Sequence, residues 1–250
     1  MDVGRKYAQV ACALVARPAP DTNEDGSMHP VSITTWGHAC VQLERAGRRL
    51  VIDPGEFSDR TVIDGADAVL LTHGHGDHAD IPSLVRALAA GDAMEVWGPG
   101  DVVAQLLDAG APRPRVHVSA GGETFSAAGF AVLALGDEHA VIHPDLPPGS
   151  NVAYLVDGVA LHPGDSFTEA PAGTAVEVLF LPISGPWMKL AEAVDYLRRI
   201  APVTAVPIHD ANHSEAGRAL ADHLVSALAL GARYRRVPAG ETLTLLAGAD

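Results

Sequence analysis

Three histidines and one aspartate fall within six residues at His73-Gly74-His75-Gly76-Asp77-His78. Imidazoles and a carboxylate are the donors that suit zinc or a similar divalent cation. His73 and His75 stand two apart, so on extended backbone they point the same way and can share one ion. Asp77 and His78, where the next helix is expected to begin, can hold a second. The two glycines are expected to let the backbone turn tightly so that the donors converge. A single histidine on a turn is ordinarily solvated surface, but this density is not well explained that way. These residues cannot close two metal shells by themselves, so other ligands must arrive from elsewhere in the chain.

Polar residues that follow an apolar strand are where to look for them. The first group follows Ala68-Val69-Leu70-Leu71, which reads as a buried strand. His139 follows the strand Phe130 to Leu135, Asp165 follows Val159 to His162, and His209 follows Val203 to Pro207. His139 could complete a three-histidine shell with His73 and His75, and His209 could join Asp77 and His78. Asp165 could bridge both ions, since a carboxylate has two oxygens. His143 competes with His139 for the third histidine; we prefer His139, which comes directly after the strand, whereas His143 enters the Pro-rich loop 143–150. His162 reads as packing or as support for a ligand. His117, His213 and His223 read as surface or helix positions.

Strands and helices must carry these residues to one place. Val31 to Trp36, Ala39 to Glu44, Arg49 to Asp53 and Asp67 to Thr72 read as strands, with Met94 to Trp97 and Arg115 to Val118 after them. Further strands are expected at Glu123 to Phe125, Phe130 to Leu135, Asn151 to Val156, Val159 to His162 and Val176 to Leu181. Val203 to Pro207, Tyr234 to Val237 and Thr242 to Leu246 close the set. Helical spacing marks Ile81 to Ala90, Asp101 to Ala109, Trp187 to Ile200 and Ser214 to Leu230, with Ser214 as N-cap. Strands precede helices in both halves, so two similar halves are expected, with their sheets packed together and the helices outside. Trp187, at the expected cleft rim with Met188 and the loop 144–150, reads equally as a stacking surface for substrate and as a core anchor.

The 250 residues carry a net charge of −14, and no basic stripe is present to engage a nucleic-acid backbone. No apolar run approaches the ~18–20 residues that span a bilayer. Cys12 and Cys40 form no disulfide framework, which fits a reducing cytoplasm. Residues 1–28 read as a flexible extension, with a linker-like run of Pro, Asp, Asn, Gly and Ser before a folded unit at 29–250. Arg5-Lys6 and the apolar stretch after them are a faint version of a signal peptide, but Gln9 interrupts it and no clean cleavage site follows.

The motif Thr72 to His78, with Gly136 to His139, Gly164-Asp165-Ser166 and Pro207 to Asp210, resembles the metallo-β-lactamase-fold hydrolase superfamily. Trp36-Gly37-His38-Ala39 and Asp53-Pro54 resemble the branch that contains ascorbate-phosphate lactonase and the N-acylphosphatidylethanolamine phospholipases. The resemblance implies an α+β fold, a four-layer αββα sandwich, with a two-metal site at the sheet edges. His73, His75, Asp77, His78, His139, Asp165 and His209 are then the expected metal ligands. Asp77 and His38 are the expected catalytic residues. His38 has two readings: a cleft-floor residue that orients a ligand or touches substrate, or a core-edge histidine bonded to backbone. Asp53 is expected to fix a metal-binding histidine or the site's backbone. The cofactors are two divalent ions, zinc first, with manganese or iron as alternatives. They would share a water, lower its pKa and make hydroxide the nucleophile on an ester, lactone, amide or phosphodiester of a small molecule. Rival readings are a non-catalytic metal-binding module and a di-iron redox protein on the same fold.

Overall fold

The computed structural model describes residues 29–91 and 93–245. The expected extension 1–28, with Cys12 in it, and Leu246 at the end of the last expected strand lie outside the described residues. The first half contains β1 (Val31–Gly37), β2 (Cys40–Arg45), β3 (Arg48–Ile52), β4 (Ala68–Leu70), α1 (Ile81–Ala90), β5 (Glu95–Gly98), α2 (Gly100–Asp108) and β6 (Val116–Val118). The second contains β7 (Thr124–Ala127), β8 (Phe130–Leu135), β9 (Ala153–Val156), β10 (Ala160–His162) and β11 (Val178–Pro182). It continues with α3 (Leu190–Ile200), β12 (Thr204–Ile208), α4 (Glu215–Leu228), β13 (Arg233–Tyr234) and β14 (Thr242–Leu245). They build two seven-stranded sheets, ordered β14-β1-β2-β3-β4-β5-β6 and β13-β12-β11-β10-β9-β8-β7. The halves thus correspond to the sheets, except that β14 crosses back to pair with β1, where the hydroxyls of Thr34 and Thr242 meet at 2.8 Å.

Strand alternation sorts the side chains into layers. In β3 and β4, Leu50, Ile52, Ala68 and Leu70 face the opposite sheet, while Val51 and Val69 face α1 and α2. In β11, Val178 and Phe180 join the same central layer, while Leu179 and Leu181 pack under α3 and α4. Both faces of each sheet are buried, which is why these strands read as continuous apolar runs. The result is the expected α+β, αββα sandwich.

Two departures from the sequence expectation bear on the site. Helix α3 starts at Leu190 instead of Trp187, because the Glu192 carboxylate accepts the Lys189 backbone N–H at 2.6 Å and caps the helix there. The segment 184–188 is therefore loop. Strand β13 stops at Tyr234, after pairing Arg233 and Tyr234 with Thr204 and Ala205 of β12. Beyond it Arg236 turns to the carboxylates of Asp210 and Asp222. No helix among the described residues is long and apolar enough to cross a membrane.

Candidate metal centre

Strand direction alone brings the candidate residues to one edge. β1 is antiparallel to β2, β2 to β3, and β3 is parallel to β4, so β1, β3 and β4 run the same way. Their ends release His38, Asp53 and the loop of His73 to His78. In the second sheet β8, β10 and β12 also share one direction, by way of antiparallel β9 and parallel β11. Their ends release His139, Asp165 and His209. The two edges are tied together where Val152 N donates to Thr72 O at 2.8 Å and His209 N donates to His38 O at 3.0 Å.

Close packing fixes the backbone here. A side chain on Gly55 would run into the Asp77 carbonyl at 2.0 Å, and one on Gly164 would meet the Asn151 amide and Thr72 within 2.6 Å. Gly164 also has φ +60, a conformation glycine adopts freely. Gly74 and Gly76 were expected to supply the turn, but neither has a positive φ; their places abut Gln105 and Glu56 instead. The left-handed backbone lies at His38, Asp53 and His209, with φ of 48°, 52° and 60°. Such conformations cost about 1–3 kcal/mol each and concentrate at functional sites.

The donor atoms form two groups. His73, His75, His139 and Asp165 make one, and His38, Asp77, His78 and His209 the other; within each group the atoms lie within 4.8 Å of one another. Asp165 reaches both. Its Oδ1 lies 3.1 Å from His78 Nε2 and 3.1 Å from His209 Nε2. Its Oδ2 lies 3.3 Å from His139 Nε2 and 4.0 Å from His73 Nε2. Trp187 Nε1 donates to the same Oδ2 at 2.8 Å.

Hydrogen bonds on the far side of each ring assign its proton. His78 Nδ1 donates to Asp53 Oδ2 at 2.7 Å. His139 Nδ1 donates to the Ala140 carbonyl at 2.6 Å. The Thr72 hydroxyl donates to Asp53 Oδ2 at 2.7 Å, so it accepts from His73 Nδ1 at 3.0 Å. All three rings thus turn Nε2 inward, the nitrogen that carries the lone pair whenever the ring is neutral. His38 is the reverse case. Its Nδ1 accepts from Ala211 N at 3.2 Å, so Nε2 carries the proton and donates to Asp77 Oδ2 at 3.1 Å. The His38 side chain is buried.

Burial opposes charge on His38, His73, His75, His78 and His209. It is the largest cause lowering the pKa of His73, His75 and His38. At His78 burial also acts downward, but the Asp165 and Asp53 carboxylates outweigh it and the group is raised well above its ordinary value. At His209 burial is outweighed by Asp165 and Asp77, and the pKa is pushed up to about 9. Burial pushes Asp77 and Asp165 up, yet the surrounding imidazoles hold both carboxyls well below the usual carboxylate range.

These donors fit divalent cations. Nε2 of His78, His139 and His209 and Oδ1 of Asp165 are buried without a hydrogen-bond partner among the described residues. Leaving a buried polar atom unsatisfied costs about 1–3 kcal/mol, offset at His78 and His209 only by the attraction of Asp165 across 3.1 Å. A cation held among these donors would satisfy them.

Other candidates fall outside. The His143 side chain is 62% exposed and lies 3.6 Å from Asp145, away from the cluster. His162 donates from Nε2 to Ala39 O and accepts from Gly164 N, so it braces the turn that carries Asp165. His117 stacks on Trp97. Asn151 carried no signal in the sequence: its side chain accepts from Asp165 N at 2.9 Å and donates to Pro163 O at 2.9 Å. Trp187, read equally as stacking surface and as core anchor, is buried against Phe167 and also donates to Asp165.

Comparison with known proteins places this architecture. A family described as the beta-lactamase superfamily domain matches residues 32–209. The protein Rv0786c of Mycobacterium tuberculosis is 42% identical over 187 residues, covering 72% of this chain and 84% of the mycobacterial one. A protein named UPF0173 metal-dependent hydrolase from Roseiflexus castenholzii is 28% identical, covering 71% of this chain and 82% of its own. Among solved structures, Igni18, described as a metallo hydrolase from Ignicoccus hospitalis, shares the fold with a TM-score of 0.64 at 22% identity. That likeness covers 86% of this chain and 98% of Igni18. The chain belongs to the metallo-β-lactamase-fold superfamily.

Proposed function

We propose that this chain is a dinuclear metallohydrolase that cleaves an ester, lactone, amide or phosphodiester bond of a small molecule. The observation that carries this reading is Asp165, whose two oxygens face two separate groups of inward-turned donors. His73, His75, His139 and Asp165 Oδ2 would hold one divalent ion; Asp77, His78, His209 and Asp165 Oδ1 the other. Zinc suits this nitrogen-rich donor set best, with manganese and iron as alternatives. Bound there, the ions supply a Lewis acid for the substrate oxygen and a water of lowered pKa.

The protein's own residues do the rest. Asp53, Thr72 and the Ala140 carbonyl hold His78, His73 and His139 in the required tautomer. The Asp77 side chain is 22% exposed against 4% for Asp165, so Asp77 is the carboxylate that can pass a proton toward solvent. His38 aims it through the Nε2–H bond. In hydrolysis the water oxygen adds to the acyl carbon or phosphorus, the bond to the leaving group breaks, and the leaving group takes up a proton by way of Asp77. The unit beginning at residue 29 is the catalytic domain, working in the cytoplasm, where Cys40 stays a buried thiol.

The test is elemental analysis of protein loaded with zinc, manganese or iron, with a screen of ester, lactone, thioester and phosphodiester substrates. Turnover of one class with metal bound supports the reading. Metal without turnover favours a binding module, and iron with redox activity but no hydrolysis favours the di-iron rival.

A further inference from the structure

One cavity opens directly on the histidine pair His75 and His139. Its remaining wall comes from the loop after β8, chiefly Val141, Ile142, Leu146, Pro147 and Pro148. The loop is pinched at its base, where His139 N donates to Gly149 O at 2.9 Å and Glu138 bridges to Ser150. Ser150 in turn donates to Asp101 on α2 at 2.6 Å, which fastens the loop to the first half of the molecule. Prolines present no backbone N–H, so Pro147-Pro148 adds an apolar wall that cannot donate to a substrate.

Single exposed apolar side chains are ordinary. Here three stand on one loop beside the metal centre, with Val141 61%, Ile142 38% and Leu146 53% exposed. Water in contact with them is released if an apolar group enters. Charge points the same way. No Lys or Arg lines the cavity, and none occurs between Arg115 and Lys189. Glu138 and Asp145 on the loop would repel an anion. The volume, about 240 Å³, is below the ~300 Å³ at which pockets begin to enclose a whole drug-sized ligand. The cavity therefore suits a substituent and not an entire substrate.

We propose that this cavity is the subsite for an uncharged alkyl substituent of a carbonyl substrate, whose scissile carbonyl lies on the His75–His139 side of the centre. The assignment rests on the hydrolase reading above and adds the substrate class to it.

The test uses metal-loaded full-length protein and two readouts. The first is calorimetric binding of acetyl, butyryl and hexanoyl hydroxamic acids, with the succinic monohydroxamate as a charged counterpart of the butyryl compound. The second is the ratio of kcat/KM for hexanoyl over acetyl p-nitrophenyl esters. Affinity is expected to rise about tenfold for each two methylenes added, and the succinic compound to bind more weakly than the butyryl one. Leu146→Asp, at an exposed position, is expected to lower the hexanoyl-to-acetyl ratio about tenfold, and Ile142→Asn to lower it in the same direction. Equal affinities across the series, or a ratio unmoved by both variants, overturn the subsite. Ester turnover without chain-length dependence overturns the subsite and leaves the hydrolase reading intact. Chain-length-dependent binding without turnover of any ester upholds the subsite and counts against the hydrolase reading.

Discussion

Asp53 and His78 are joined through the nitrogen that points away from the centre, Nδ1 to Oδ2 at 2.7 Å, with both side chains fully buried. The same carboxylate accepts Thr72 N at 2.8 Å and the Thr72 hydroxyl at 2.7 Å, so one buried group sets the tautomer of His78 directly and of His73 through Thr72. Asp53→Asn tests this with little backbone disturbance, because asparagine tolerates the left-handed conformation found there. Metal affinity is expected to fall about 10- to 100-fold, and stability by about 1–3 kcal/mol. Metal titration and denaturant unfolding of the metal-free protein read the two effects separately.

Trp187 is 8% exposed and its indole N–H is the proton donor to Asp165 Oδ2. Trp187→Phe keeps a ring beside Phe167, its edge-to-face neighbour at 5.2 Å, and removes the donor together with the indole's second ring. The expected result is a change in the two stepwise metal affinities relative to each other, visible in the cobalt(II) spectrum, with kcat lowered about tenfold. A protein with unchanged stepwise binding would show that the bond is packing alone.

His38 is expected to matter for turnover more than for metal content, because its protonated nitrogen faces Asp77 and its other nitrogen accepts from Ala211. His38→Asn should retain metal in the pocket of His73, His75 and His139 and lose about 100-fold in kcat, the lower end of general acid–base assistance. Loss of all bound metal would instead make His38 part of the binding set.

Proton linkage gives a fourth expectation. His209 is pushed up to about 9 and His78 is also raised, so without metal both hold protons at neutral pH. A cation must displace them, so metal affinity should rise with pH up to about 9. Calorimetry in buffers of different ionisation enthalpy should show net proton release. In the metal-free protein, His209 favours folding below its ordinary value of 6.5, and that contribution is lost as pH rises through about 9. Metal-free protein should therefore lose stability on the alkaline side.

The strand-end residues were legible because histidine and aspartate stand out after apolar runs, and strand direction then delivers them to one edge. His139 could be preferred over His143 for the same reason, and their exposures of 4% and 62% agree with it. Pairwise atomic relations were not legible. Neither partner of His38 was legible: it accepts from Ala211 N, 173 positions along the chain, and donates to Asp77. Asn151 looks like any loop asparagine until the Asp165 turn folds against it. Trp187 was drawn into α3 by helical spacing, although the Lys189–Glu192 cap excludes it and frees the indole. Left-handed backbone at His38, Asp53 and His209 falls on residue types that tolerate it better than most, but histidine and aspartate adopt it too seldom for the sequence to show where.

The most direct measurement is the number of divalent ions bound per chain, by elemental analysis after dialysis, in the unaltered protein and in Asp165→Ala. Two ions per folded unaltered chain, falling below one in the variant while its circular dichroism is preserved, is the expected result. A single ion in the unaltered protein, or two retained in Asp165→Ala, would contradict a centre built around that carboxylate.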